Sequence, residues 1–312
     1  MTMDIAAKLY RKTVLAVAGN RAVQALSLRY GKRWAAKFVA GDTAQDALRQ
    51  VRQLNKKGIM STIDHLGESI SALREAESAR DEYVRLLKLI GEAGLEANVS
   101  LKPTQFGLEL DPARCYAWIR DVAAQAAQQS GGGGFVRLDM EGSPHTQATL
   151  DIARRLHAEG LTGVGTVIQA SLRRSERDVA DMLARGIRLR LVKGAYKEPG
   201  SIAWQSGADI AASFRKLIRL ALDSGVYTAI ATHDERIIGW TQAYAEQHGI
   251  AKSAFEFQML YGLRTTRQAE LADAGYRMRC YVPYGTMWYP YYTRRLAEKP
   301  AHLWMVLKHQ RS

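Results

Sequence analysis

The chain has 312 residues, 47% of them hydrophobic and 24% charged, so it is long enough to bury a large core without disulfides. Its net charge of +13 comes from 44 basic and 31 acidic residues, but no run of five or six Lys or Arg appears, which argues against a nucleic-acid-binding protein. No stretch approaches the roughly 20 apolar residues of a membrane span, and the N-terminus lacks a signal-peptide core.

From these features we expect a cytoplasmic protein. Peripheral contact between its positive charge and a lipid surface, on the inner face of a membrane, stays open. Residues 3–40 are predicted to form two basic helices, with breaks at Gly19-Asn20 and Gly31. We therefore expect an N-terminal helical segment at residues 1–42 and a catalytic domain at residues 43–312.

One pattern recurs along the rest of the chain, in which a short apolar run ends in polar or small residues and a longer helical stretch follows. Eight runs are predicted as strands: Ile59–Leu66, Leu95–Leu101, Phe135–Met140, Gly163–Ala170, Ile187–Val192, Val226–Thr232, Ala254–Leu260 and Tyr276–Val282. The intervening helices include Ser71–Gly91, Pro112–Gln129, Thr146–Ala158, Arg174–Ala184, Ile202–Leu222 and Glu235–Gln247. Eight such units predict an α/β protein, a (β/α)₈ barrel; an open doubly wound sheet is the alternative.

Polar residues follow nearly every predicted strand, and in such a barrel these carboxyl ends carry the functional groups. Lys102, Arg190 and Lys193 supply positive charge there and Asp139 supplies a carboxylate, while Gln169, Thr232 and His233 add hydrogen-bonding groups. Cationic groups at a barrel mouth indicate an anionic substrate, an anionic cofactor, or both.

Motifs for other chemistry are missing from the sequence. Cys115 and Cys280 lie far apart without metal-type spacing, so we expect buried thiols and no metal site. No nucleophile-elbow motif occurs. Two alternatives stay open: Lys193 could be the desolvated lysine of a Schiff-base aldolase, or the chain could be a basic binding protein without catalytic activity.

The segment Tyr281–Glu298 contains the neighbouring arginines Arg294 and Arg295 among several tyrosines. On a helix the two guanidinium groups can straddle a small carboxylate, whose two oxygens match their geometry. Glu298 can steady either arginine or contact a substrate amine. A surface helix with ordinary salt bridges is the alternative interpretation.

In these segments the chain resembles the proline dehydrogenases, flavin-dependent enzymes of proline catabolism. The resemblance begins near Met60 and rests on seven motifs that occur together and in order. They are Ile63–Glu68 (IDHLGE), Val99–Lys102 (VSLK), Asp139–Glu141 (DME), Arg190–Tyr196 (RLVKGAY), Ala231–Asp234 (ATHD), Phe255–Leu260 (FEFQML) and Tyr281–Glu298 with its arginine pair.

The resemblance implies a distorted (β/α)₈ barrel whose last helix sits over the mouth, with FAD across the strand ends. It implies that L-proline gives a hydride from C5 to flavin N5 and becomes Δ1-pyrroline-5-carboxylate, and that membrane quinone reoxidises the flavin. We expect no fused aldehyde dehydrogenase domain, so transfer of the product to a separate pyrroline-5-carboxylate dehydrogenase stays open.

The resemblance also implies roles for individual residues. Lys102, Arg294 and Arg295 look like the clamp for the substrate carboxylate. Tyr281, Tyr196 and Leu260 look like packing around the proline ring. Asp139 resembles the acid that holds the site together, and Arg190 the arginine beside the flavin ring. The remaining FAD contacts implied by the family are Met140, Gln169, Lys193, Gly194, Ala195, Thr232 and His233.

Overall fold

The computed structural model describes Asn20 and residues 36–67, 70–129 and 134–298, and for residues 294–298 it describes the backbone alone. Glu68 and nearly all of the predicted N-terminal helices lie outside the described residues. The domain boundary between residues 42 and 43 therefore stays a prediction.

The described chain folds into a closed barrel in which every neighbouring pair of strands is parallel, in the order β1 to β8. The strands are β1 Ile59–His65, β2 Ala97–Leu101, β3 Val136–Leu138, β4 Val164–Gln169, β5 Leu189–Val192, β6 Thr228–Ala231, β7 Phe255–Leu260 and β8 Arg277–Tyr284. The helices are α1 Ala44–Asn55, α2 Leu73–Glu92, α3 Pro112–Ala127, α4 Ser143–Ala158, α5 Ser175–Ala184, α6 Gly207–Asp223, α7 Glu235–Gln247, α8 Thr265–Asp273 and α9 Trp288–Glu298. A short 3₁₀ helix, Pro103–Phe106, follows β2.

This architecture confirms the predicted barrel, and all eight strands lie within two residues of their predicted limits. The open-sheet alternative is excluded because β8 pairs with β1 from Ile59↔Met278 to His65↔Tyr284. The prediction named no helix at α1 or at α8. Helix α8 is short, and only Gln268 and Leu271 of it are buried, so its apolar periodicity is too weak to recognise.

The main apolar core lies between the strands and the surrounding helices. Helix α2 shows how the sequence builds it, because Tyr83, Leu86, Leu87 and Ile90 recur at helical spacing and are all buried. Helix α1 begins with a capping box in which Thr43 and Asp46 bond each other's backbone N–H groups. Within the described part of the chain, no helix is both long and apolar enough to cross a bilayer.

A smaller apolar cluster lies at the β8 side of the mouth. Phe38 and Val39 pack there with Trp288 and Tyr292 of α9. The backbone of this segment is also tied to the end of β8 and to the residue after it, because Ala40 N donates to Pro283 O at 2.8 Å and Gly285 N donates to Gly41 O at 2.9 Å. The start of α9 is therefore held between the barrel and the segment that precedes α1.

Candidate active site

The interior of the barrel at the carboxyl ends of its strands is charged. Lys102, directly after β2, donates from Nζ to both oxygens of Asp64 on β1, at 2.8 and 3.0 Å. Both side chains are buried, with Asp64 0% exposed. An unpaired buried ion costs roughly several kcal/mol. By pairing, the two residues stabilise each other's charge.

Asp139, the residue after β3, lies at the centre of this cluster. Its Oδ1 accepts hydrogen bonds from Ser100 Oγ at 2.6 Å and from Arg190 Nη1 at 2.6 Å. Its Oδ2 accepts from the hydroxyl of Tyr281 at 2.8 Å and lies 3.8 Å from Lys102 Nζ. Asp139 thus joins β2, β3, β5 and β8 across the barrel, and its predicted role in the active site stays a prediction.

Arg190 on β5 is 4% exposed and reaches across the interior to strands that are not its neighbours. Its Nη1 bonds Asp139 and approaches Ser100 Oγ at 3.3 Å, while Nε donates to Gln258 Oε1 on β7 at 2.6 Å. The guanidinium carbon lies 5.3 Å from the centre of the Tyr281 ring, a cation–π contact.

A second charged layer lies below the first. Gln258 Nε2 donates to Glu256 Oε1, and both oxygens of Glu256 accept from Arg279 Nε, at 2.9 and 3.0 Å. Arg279 also donates to Ser61 O at 2.8 Å. Gln258 therefore connects the mouth of the barrel to an ion pair in its floor.

These surroundings shift the pKa values of Asp64 and Asp139 in opposite directions. Burial raises the pKa of Asp64 above its ordinary value, and Lys102 only partly opposes this effect. Burial also acts to raise the pKa of Asp139, but the charges of Arg190 and Lys102 and the hydrogen bond from Ser100 outweigh it and lower that pKa. Asp139 is therefore an ionised anchor at neutral pH and not a poised proton acceptor.

The residues expected to contact FAD line the β3 to β6 side of the mouth. Gln169 is buried and donates from Nε2 to Glu141 O at 2.9 Å, and Met140 is also buried. Thr232 is buried, and its hydroxyl accepts from Asp234 N at 3.1 Å. His233 accepts from Leu260 N through Nε2 at 3.1 Å, so the neutral ring carries its proton on Nδ1.

The loop after β5 is partly open to solvent. Lys193 pairs with Asp234 at 2.7 Å, and its side chain is 42% exposed. An exposed, paired lysine does not fit the desolvated lysine of a Schiff-base enzyme, so that alternative is disfavoured. Gly194 has φ +103°, and a Cβ at this position would lie 2.2 Å from Ser171 Oγ. Glycine is needed here to pack the loop against Ser171, and Ala195 is exposed beside it.

The three residues that were predicted to pack around the proline ring lie in three different environments. Tyr281 lies in the charged cluster, in contact with Asp139 and Arg190, and its predicted role beside the proline ring stays a prediction. Leu260 ends β7, opposite Tyr281 in the β7–β8 register, and packs against the smaller apolar cluster at the β8 side of the mouth. Tyr196 is 46% exposed in the loop after β5, so it is not part of the buried cluster.

The arginine pair lies on a helix, as predicted, because Arg294, Arg295 and Glu298 all belong to α9. Their side chains are outside the described part of the structure, so the roles predicted for them stay predictions. The same helix carries Tyr291 and Tyr292, which are buried at its contact with the barrel.

Sequence reasoning missed three residues of the cluster. Asp64, Ser100 and Gln258 stood in the recognised motifs but were assigned no role. The alternation of side chains along a strand could have identified Ser100. It lies two residues before Lys102, and residues two apart on a strand face the same side. Among the described residues, no group of three or more His, Cys, Asp or Glu is placed to hold a metal ion.

One atom of the cluster indicates a ligand. Arg190 Nη2 is buried and has no hydrogen-bond partner among the residues that the structure describes, although the other two nitrogens of the same guanidinium group are bonded. A buried donor without an acceptor is costly, roughly 1–3 kcal/mol. A flavin ring presents several nitrogen and oxygen acceptors, so the residues at this mouth fit the cofactor that the sequence motifs predict.

Comparison with known proteins identifies the family. Residues 47–304 match the family described as proline dehydrogenase. The chain belongs to the proline dehydrogenase family. It is 42% identical to proline dehydrogenase 1 of Bacillus subtilis over 301 residues, which cover 96% of this chain and 98% of that protein. It is 39% identical to the proline dehydrogenase of Deinococcus radiodurans over 302 residues, covering 96% and 97%.

The barrel of this proline dehydrogenase family member is also similar to a solved structure. Proline utilization A from Bdellovibrio bacteriovorus, inactivated by N-propargylglycine, superposes with a TM-score of 0.78 and 26% identity over 85% of this chain. The matched part is 32% of that longer chain. The similarity confirms the barrel fold, and the family identifies the chain as an oxidoreductase, a proline dehydrogenase.

Proposed function

We propose that this proline dehydrogenase oxidises L-proline to Δ1-pyrroline-5-carboxylate and uses FAD as the hydride acceptor. The observation that carries this proposal is the environment of Arg190, in which Gln258, Asp139 and Ser100 fix two guanidinium nitrogens and Nη2 has no partner within the described part of the chain. A rigidly held donor suits a cofactor whose ring gains electrons, because it stabilises the charge that develops there.

The substrate carboxylate requires cationic partners. In this proposal Lys102, Arg294 and Arg295 form the clamp, in which guanidinium forks match the two carboxylate oxygens. Tyr281 and Leu260 form the wall beside the pyrrolidine ring, with Tyr196 as a further ring contact from the loop after β5. Glu298 steadies the arginine pair or contacts the substrate amine.

The reaction requires positioning more than acid–base chemistry. The amine must first lose its extra proton to solvent, so that its lone pair can form the C5–N double bond as the C5–H bond breaks with its electron pair. The resulting iminium then loses its remaining N–H proton to solvent and becomes Δ1-pyrroline-5-carboxylate. FAD, when bound, would accept the hydride. The protein holds C5 at reacting distance, and Asp139 contributes by fixing Arg190 and the hydroxyl of Tyr281 at the same time.

The other proposed FAD contacts extend from β3 to β6. Met140 and Gln169 are buried beside the cluster, and Thr232 and His233 follow β6. Lys193, Gly194 and Ala195 form the loop after β5, where the positive charge of Lys193 suits an anionic cofactor. The backbone N–H groups of such a loop can bind phosphate oxygens.

The reduced cofactor needs an acceptor, for which we propose membrane quinone. The chain would then work in the cytoplasm and contact the inner face of the membrane transiently, with its positive charge attracted to anionic lipid. A separate pyrroline-5-carboxylate dehydrogenase would consume the product. Both partners are parts of this proposal.

The first experiment is a visible absorption spectrum of the purified protein before and after anaerobic addition of L-proline. We expect an oxidised-flavin spectrum that bleaches with proline. A flavin spectrum that ignores proline would contradict the substrate assignment. A colourless protein that also fails to respond after incubation with FAD would contradict the whole proposal.

A further inference from the structure

Gln258 on β7 lies between a hydrogen-bond donor, the guanidinium group of Arg190, and a hydrogen-bond acceptor, the carboxylate of Glu256. Its Oε1 accepts a hydrogen bond from Arg190 Nε at 2.6 Å, and its Nε2 donates to Glu256 Oε1. Gln258 is 3% exposed and Glu256 is 1% exposed, so water cannot replace either bond. The amide is therefore the link between the mouth of the barrel and the charged layer beneath it.

The orientation of this amide is dictated by its neighbours. A guanidinium group can only donate and a carboxylate can only accept, so the amide oxygen must face Arg190 and the amide nitrogen must face Glu256. Rotating the amide by 180° would place donor against donor and acceptor against acceptor. Glu256 is itself held by Arg279 Nε and by Tyr227 OH, the latter at 2.9 Å.

The fixed orientation of the Gln258 amide in turn restricts the orientation of Arg190. With Nε bonded to Gln258 and Nη1 bonded to Asp139, the plane of the guanidinium group is defined by two contacts from different strands. Nη2 is then the one nitrogen of this group without a partner among the described residues. Loss of the Gln258 contact would leave the group able to rotate about its bond to Asp139.

We propose that Gln258 is a positioning residue that orients Arg190 towards the bound flavin, and that Glu256 fixes Gln258 in the required orientation. The inference rests on the proposed function, since it assumes that FAD occupies the mouth. It assigns a role to the floor of the barrel, which holds the geometry of the cofactor site without touching cofactor or substrate.

The test is the variant Gln258→Met, which keeps the length and the neutral charge of the side chain but cannot accept from Arg190. We expect FAD binding to weaken about tenfold, the factor expected when one charge-assisted hydrogen bond is weakened. We expect the flavin midpoint potential to become more negative, because a misplaced guanidinium stabilises reduced flavin less. The kcat for proline should fall, while its KM stays near the wild-type value because the clamp is untouched.

The matched control is Gln268→Met. Gln268 is 1% exposed and donates to the carbonyl oxygens of Leu260 and Leu263 at 3.2 and 2.7 Å, so its loss also leaves buried groups unpaired. It has no contact with Arg190. We expect this control to lower thermal stability without shifting the flavin potential.

A double-mutant cycle separates positioning from general damage. If Gln258 acts through Arg190, Gln258→Met should cause no further potential shift in an Arg190→Met background. Where Gln258→Met alone does not fold, Gln258→Asn serves instead, because its shorter amide cannot reach Arg190 Nε and Glu256 Oε1 at the same time. A lowered flavin potential in this variant supports the proposal, and an unchanged or raised potential contradicts it.

The outcomes also separate this inference from the proposed function. A wild-type protein that binds FAD and bleaches with proline, together with an unshifted potential in folded Gln258→Met, overturns the positioning role alone. A wild-type protein that binds no FAD overturns both proposals.

Discussion

The ammonium nitrogen of Lys102 lies 2.8 Å from Oδ1 and 3.0 Å from Oδ2 of Asp64, whose side chain is completely buried. The lysine proposed to hold the substrate carboxylate therefore reaches the strand ends with its charge already balanced. Removing one member of such a buried pair leaves an uncompensated ion, which is far more costly than losing an exposed pair.

Asp64→Ala should lower the free energy of unfolding by about 3–5 kcal/mol, the cost of breaking a buried ion pair. Urea denaturation measures this change. Asp81→Ala is the matched control, because Asp81 pairs with Arg80 at 2.7 Å but its side chain is 65% exposed. The control should cost less than about 1 kcal/mol. Equal effects of the two substitutions would contradict the buried pair.

Arg294→Met and Arg295→Met should each raise the KM for proline about tenfold or more, since a charge-assisted hydrogen bond is worth about 1.5–3 kcal/mol. Steady-state kinetics with a fixed electron acceptor measures the change. Arg49→Met on α1, with a side chain 67% exposed, should leave KM unchanged. Unchanged KM values in both α9 variants would remove these arginines from the clamp.

The pKa of Asp139 is lowered below its ordinary value of 3.8, so its ionised form stabilises the fold. This contribution is complete above the unfolded-state pKa and is lost as the pH falls through the lower folded-state pKa. The stability difference between the wild type and Asp139→Asn should be constant at neutral pH and shrink below about pH 4. A difference that already shrinks near neutral pH would show that the pKa is raised instead.

Both cysteines should be unreactive in the folded protein. Cys115 and Cys280 are buried, and burial raises the pKa of Cys115 to about 12 and that of Cys280 further. A chromogenic thiol reagent at about pH 8 should therefore titrate neither thiol until urea is added. Rapid reaction of either cysteine in the native protein would contradict its placement.

Gly194→Ala should destabilise the loop after β5 and weaken FAD binding. Its φ of +103° strains any side chain, and the new Cβ would lie 2.2 Å from Ser171 Oγ. We expect a loss of at least about 1 kcal/mol in the free energy of unfolding. Gly207→Ala is the control, because nothing lies within 4 Å of its Cβ position and it begins α6. That substitution should be neutral or stabilising.

The barrel could be predicted because the patterns that indicate its strands and helices involve residues close together in the sequence. Each strand is a short apolar run that ends in polar residues, as in Val164–Gln169, and the helices repeat apolar residues at helical spacing. Helix α8 escaped prediction because so few of its residues are buried. The composition of the mouth was also visible in the sequence, since Lys102 and Asp139 directly follow strands and Arg190 lies within the short strand β5.

The partners of those residues were not predictable. Arg190 is 51 residues from Asp139 and 68 from Gln258, and nothing local indicates that β5 reaches across the interior to β3 and β7. The exposure of Tyr196 was equally hidden, because the path of the loop after β5 depends on its packing against Ser171 and Gly142.

The sequence by itself determined the strand–helix repeat, the polar strand ends and, through its motifs, the family. Periodicity and residue type depend only on neighbours along the chain, so they can be recognised without the three-dimensional structure. Only the closed barrel decided which charges meet. Closure brings Asp64, Asp139 and Glu256 to within bonding distance of Lys102, Arg190 and Arg279 from separate strands, and burial then makes each pairing obligatory.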